Sequence, residues 1–121
     1  MSNIMTNTEL KALRQIFFLE CSEAAEHVGV SVRTWQYWEA GRMQVPVNVS
    51  DLMLNFAGVR ENLLEQRYSE FKSTGDIIRL DFCMTIDDFE ILSGKRNVVL
   101  WKITNSVAAE CLSAGIATIK E

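Results

Sequence analysis

Residues Cys21–Gly41 read CSEAAEHVGVSVRTWQYWEAG, and the fold turns on how this stretch is read. Counted from its first residue, positions 4, 8, 10, 15 and 18 are Ala24, Val28, Val30, Trp35 and Trp38. Those are the positions that two crossing helices joined by a tight turn must bury, and all five are apolar. Ala25 leaves room where the helices approach most closely. Gly29 supplies the left-handed residue that stops the first helix, and Ser31 caps the second. The pattern predicts a helix-turn-helix, with helix 2 over about Cys21–Val28 and helix 3 over about Val32–Ala40, closed by Gly41.

Upstream, Thr6 and Glu9 have capping-box spacing, and Leu10, Leu13, Ile16 and Phe17 recur at threes and fours, which predicts helix 1 to about Phe18. Downstream, Arg42–Val49 holds the only proline, Pro46, and reads as a loop. From Val49 to Lys72 the only breaker is Gly58. Leu52, Phe56, Val59 and Leu63 form one apolar stripe there, and Met53, Ala57, Leu64, Tyr68 and Phe71 form a second. The first stripe suits packing on helices 1–3. The other needs the C-terminal segment, a second subunit, or both.

Ser73–Asp76 is a turn and the expected internal boundary, giving a helical domain over 1–72 and a tail over 73–121 that packs on it. In the tail, IIRLDFC (77–83) alternates as a half-buried strand with Ile78, Leu80 and Phe82 on one side. Thr85 and Asp88 cap a short helix ended by Gly94. Val98–Ala114 carries the stripe Leu100, Ile103, Val107 and Cys111, flanked by Trp101, Ala108 and Leu112, and Ile116–Ile119 reads as a short strand pairing with the first.

The chain has 121 residues and 48% hydrophobic content, enough for a packed core, with a formal net charge of -4 and a pI near 5.0. Nucleic-acid binders are usually basic, because phosphate contacts supply much of their affinity. Positive charge for DNA must therefore be local here, with binding weak until two copies act together. Cys21, Cys83 and Cys111 are an odd, scattered set that argues against a disulfide framework or a thiolate metal site. No apolar run has the length of a membrane span, and MSNIMTNTELK lacks the character of a signal peptide. A cytoplasmic location follows as the expectation.

Helical spacing divides helix 3. Trp35 and Trp38, at i and i+3, point inward as core, while Val32, Arg33, Gln36 and Tyr37 lie on the opposite face as candidate readers of base edges. Arg33 suits a two-bonded grip on guanine, Gln36 suits adenine, and Val32 suits a thymine methyl. Thr34, Tyr37 and Arg42 are placed to hold phosphates.

With those residues identified, Thr6 to about Ala57 resembles the phage-repressor-like, Cro and XRE-type helix-turn-helix family, through ELKALR, GVSVRTWQYWEAGR and the following Pro46. Trp38, Glu39, Gly41 and Arg42 are its most specific part. The resemblance implies a lambda-repressor-like bundle, mainly α, with a long fourth helix and a small α+β C-terminal tail. It also implies a largely buried ion pair between Arg14 and Glu39. Two departures stand out: Glu20 and Cys21 replace the Ser-Gln that commonly opens helix 2, and Trp35 stands where a β-branched residue is more usual. The tail, GKRNVVLWKITNSVAAECL, resembles the YdiL-like proteins through Trp101, Lys102, Ile103, Ser106–Glu110 and Leu112. Lys102 and Glu110 are expected to be solvated surface.

Catalysis finds little support. His27 lies six residues from Cys21, a spacing that separates the two side chains on one helix. Asp87 and Asp88 sit in a first turn, where acids ordinarily stabilise the helix dipole. No phosphate loop or metal-ligand spacing appears, and no cofactor is expected. The expected function is therefore a sequence-specific regulator binding double-stranded DNA as a homodimer, dimerised by the second stripe of the long helix and the tail. The rival is an antitoxin-like or adaptor module that keeps the scaffold for a protein partner, favoured by the overall acidity and by Glu20, Glu23 and Glu26.

Overall fold

The computed structural model describes residues 4–121; Met1, Ser2 and Asn3, part of the N-terminal stretch read for a signal peptide, lie outside the described residues. The element order is α1 (Asn7–Ile16), α2 (Cys21–Val28), α3 (Val32–Glu39), α4 (Val47–Thr74), β1 (Ile78–Leu80), α5 (Ile86–Ser93), α6 (Val98–Ser113) and β2 (Ala117–Ile119). The fold is mainly α, a helix-turn-helix bundle with a long fourth helix and a small α+β tail. It packs as two compact units, Met1–Gly58 and Val59–Glu121.

In the first unit the local chemistry sets each boundary. Thr6 accepts from the Glu9 N–H while Glu9 accepts from the Thr6 N–H, a reciprocal cap that starts α1. Gly29, at φ 77°, ends α2 in the left-handed conformation, and the Ser31 hydroxyl accepts from the Thr34 N–H at 3.1 Å to start α3. Leu10, Phe17, Leu19, Ala24, Ala25, Trp35, Trp38, Val45, Val49 and Met53 are buried here. Val28 and Val30 are half-buried, and Ile16, expected in the helix 1 stripe, is exposed because α1 stops there. Phe18 takes φ 63°, a conformation bulky residues rarely adopt, as the chain turns from α1 toward Leu19.

α4 begins two residues before the expected start, because the Pro46 carbonyl already accepts from the Val49 and Ser50 N–H groups. Proline has no N–H to lose and a φ suited to entering a helix. The helix then runs 28 residues, about 42 Å at 1.5 Å per residue, through Gly58 without a break.

In the second unit Ile78, Leu80, Val107, Ala108, Cys111, Ile116 and Ala117 form the buried cluster, and Leu63, Leu64, Tyr68 and Phe71 of α4 pack against it with Phe82 and Ile119. β1 and β2 pair in parallel, Ile78 opposite Ala117 and Leu80 opposite Ile119, joined by the α5–α6 crossover that parallel pairing requires. β1 is three residues long where the alternation predicted seven, because β2 offers only three partners. Phe82 still turns inward. Asn105, buried on α6, takes over the next step: its Oδ1 accepts from the Cys83 N–H at 3.1 Å and its Nδ2 donates to the Cys83 carbonyl at 2.9 Å. Trp101 Nε1 donates to the same carbonyl at 2.8 Å. Glu110, expected to be solvated, keeps a side chain 40% exposed and also accepts from buried Arg60 at 2.7 Å, while Arg60 Nε donates to Ser106 Oγ at 3.0 Å. Lys102 is half-buried, its Nζ over the Trp101 ring at 4.8 Å.

Candidate nucleic-acid interface

Two turns of α3 carry the candidate residues, and the helix is fixed from behind. Trp35 and Trp38 are buried with their rings edge to face, centroids 5.5 Å apart. Glu39, at the end of α3, accepts from Arg14 Nε at 2.6 Å and Arg14 Nη2 at 3.0 Å, and also from the Trp35 indole N–H one turn earlier. The third guanidinium nitrogen, Arg14 Nη1, donates to the Leu19 carbonyl at 2.9 Å. Asn7 Nδ2 donates to the Glu39 carbonyl at 3.2 Å. α1, the α1–α2 connection and α3 thus meet at one fork-shaped contact.

The charges are tuned accordingly. Burial pushes the Glu39 carboxyl up, but the Arg14 and Trp35 hydrogen bonds outweigh it and hold the group below its ordinary value. The hydrogen bond to Glu39 raises Arg14 further. At the start of α2, burial, and after it the Glu39 charge, pushes the Cys21 thiol up. The Glu20 N–H is capped by Glu23 at 2.9 Å, so two acids stand at that corner.

On the outward side Val32, Arg33 and Gln36 are exposed, and among the described residues Arg33 and Gln36 form no side-chain hydrogen bond or ion pair. Thr34 is half-buried, its hydroxyl 3.0 Å from Ser31 Oγ. Tyr37 is half-buried, with the Arg42 guanidinium 5.4 Å from its ring centroid, and its carbonyl accepts from the Arg42 N–H at 2.9 Å as the chain leaves α3. Val32, Arg33 and Gln36 therefore share one open face, with Tyr37 and Arg42 stacked at its end.

The sequence reading missed the Trp35–Glu39 bond, for which the i, i+4 spacing of an indole donor and a carboxylate was a visible signal. It also missed the Asn7 and Leu19 contacts, which nothing in the sequence marks. His27, set aside as a dyad partner, packs its ring against Phe56 with centroids 5.2 Å apart. Asp87 accepts from Arg96 at 2.7 Å. Among the described residues no group of three or more His, Cys, Asp or Glu is placed to hold a metal ion, and no helix is long and apolar enough to cross a membrane.

Bundle, caps and fork define a helix-turn-helix protein with an α+β appendage. The chain belongs to the Aca2/YdiL-like family, whose model matches residues 5–119. It is 40% identical over 116 residues to the Aca2 repressor of Pectobacterium phage ZF40, covering 95% of this chain and 99% of that one. It is also similar to the uncharacterized protein YdiL of Escherichia coli (strain K12), 28% identical over 108 residues, covering 88% and 92%.

Proposed function

We propose that this protein is a transcriptional repressor of the Cro and XRE helix-turn-helix type, acting in the cytoplasm as a homodimer that sets two copies of α3 in successive major grooves of a palindromic site. The observation that carries the reading is the open face of α3, where Val32, Arg33 and Gln36 stand clear of internal partners on a helix locked from behind by Trp35, Trp38 and Glu39. The repressor named among its relatives supports the regulatory part. Arg33 reads guanine, Gln36 adenine and Val32 a thymine methyl, with Tyr37 at the end of that face. Thr34 and Arg42 hold phosphate. Half-sites lie about 34 Å apart, one turn of the duplex. Dimerisation comes from the tail region, residues 73–121, because Leu64, Tyr68 and Phe71 of the second α4 stripe are already packed on the buried cluster of their own chain.

The test is selection of bound fragments from genomic DNA at low salt, followed by fluorescence anisotropy on the enriched sequence. Affinity should fall steeply with salt. Arg33→Ala combined with Gln36→Ala should abolish the sequence preference while the circular dichroism spectrum stays unchanged. Absence of binding to any fragment at low salt would overturn the proposal. It would favour a protein-binding adaptor, for which the acids Glu20, Glu23 and Glu26 are the observation that speaks.

A further inference from the structure

The second unit contains a groove of about 260 Å³ whose residues come from α4, β1, α5 and α6 and include Lys120 beyond β2. Leu63, Leu80 and Val107 supply apolar wall, and Leu80 and Val107 belong to the buried cluster, so that wall is formed before anything enters. The polar side is unlike the rest of this acidic chain, since Arg67, Arg79 and Lys120 line it against one carboxylate, Asp81. Lys120 is held to Asp81 only at 3.4 Å, and Arg67 pairs with Glu70 at 3.0 Å on the exposed surface. Arg79 is exposed and, among the described residues, forms no hydrogen bond or ion pair.

Asp81 and Lys120 also line a neighbouring recess of about 340 Å³, where Lys120 faces Asp81, Asp88 and Glu121. The shared ion pair therefore stands where two spaces of opposite charge adjoin. An anion is repelled from the acidic recess and attracted to the groove that holds Arg79.

We propose that this groove is a binding site for a small organic anion, its carboxylate held by Arg79 and Lys120 and its short apolar body laid on Leu63, Leu80 and Val107. Ligand sites for drug-sized molecules span about 300–1,000 Å³, so an occupant here is metabolite-sized. The pairing of an apolar wall with a cationic lining selects an amphipathic acid over an inorganic ion. The site shares no residue with the α3 face, and the inference stands independently of DNA binding.

The probe is hexanoate, titrated into the isotopically labelled full-length protein and followed by amide chemical shifts. Acetate and 1-hexanol are the controls. Saturable shifts should centre on Arg79, Leu80, Thr104 and Val107. Hexanoate should bind at least about tenfold more tightly than acetate, because each buried methylene contributes about 0.8 kcal/mol. Arg79→Gln, at an exposed residue without a partner, should weaken hexanoate about three- to fivefold, the effect of one exposed charge. Arg79→Glu should weaken it further. The proposal is overturned if the shifts do not saturate or map elsewhere, if acetate or hexanol matches hexanoate, or if Arg79→Gln leaves the affinity unchanged.

Discussion

Replacing Glu39 with Leu removes the acceptor for two Arg14 nitrogens and for the Trp35 indole N–H in one step. The side chains of Arg14 and Glu39 are only 11% and 9% exposed, so water does not replace what is lost. Removing one partner of a buried ion pair costs about 3–5 kcal/mol. Arg14 keeps its bond to the Leu19 carbonyl, which places the cost near the lower end, about 3 kcal/mol. Glu39→Gln keeps one oxygen for one donor and should cost about 2 kcal/mol. Urea unfolding at pH 7 and fixed protein concentration, followed by circular dichroism and tryptophan fluorescence, reads both losses as lowered midpoints. The pH dependence adds an independent check. The folded Glu39 carboxyl is held below its ordinary value of 4.5, so its contribution is fully present above that value and disappears as pH falls through the folded one. The gap between wild type and Glu39→Gln should therefore narrow on acidification below about pH 4.5. Arg14→Met with Glu39→Leu should recover most of the loss, because an apolar pair leaves no buried charge alone. A cost under about 1 kcal/mol for Glu39→Leu, or a double variant equal to the sum of the singles, would refute the claim that this fork fixes α3.

Other positions give sharper single effects. Gly58 sits in mid-helix with open space where a Cβ would project, so Gly58→Ala should raise stability by about 1 kcal/mol in the same urea assay. Gly29 also has open space but a φ of 77°, so Gly29→Ala should cost about 1–2 kcal/mol from backbone strain alone, without a steric contribution. Asn105→Ala should cost about 2 kcal/mol and expose the Cys83 amide to hydrogen exchange, since that N–H loses its acceptor. Burial pushes all three thiols up, so Cys21, Cys83 and Cys111 should alkylate more slowly at pH 8 than a free cysteine, as followed by mass spectrometry.

The helix-turn-helix was legible because its determinants are local. The Thr6–Glu9 reciprocal cap, the Gly29 stop and the Ser31 cap each act within three or four residues, and the apolar period names the buried faces without knowing the partner. The exposed face of α3 followed from the same period, because fixing Trp35 and Trp38 inward leaves Val32, Arg33 and Gln36 outward. What failed to show is non-local. Arg60 and Glu110 are fifty positions apart and Asn105 and Cys83 twenty-two, so no window of sequence contains either pair. β1 was overread for a related reason: alternation reports which side chains face inward, as Phe82 does, but strand pairing depends on how far the partner runs. The shift of the α4 start was readable in principle, since Pro46 suits the entry to a helix better than the middle of a loop.

The parallel pairing of β1 with β2 also imposes an order on synthesis. The first compact unit ends at Gly58, whereas Ile78 meets Ala117 only after roughly forty more residues have been added. At elongation rates of about 5–20 residues per second, that leaves roughly 2–8 s in which Ile78 and Leu80 have no strand to pair with. A nascent chain paused between Leu80 and Ala117 would display a native-like helical head beside an unpaired hydrophobic edge, the kind of surface that chaperones bind and that aggregation starts from.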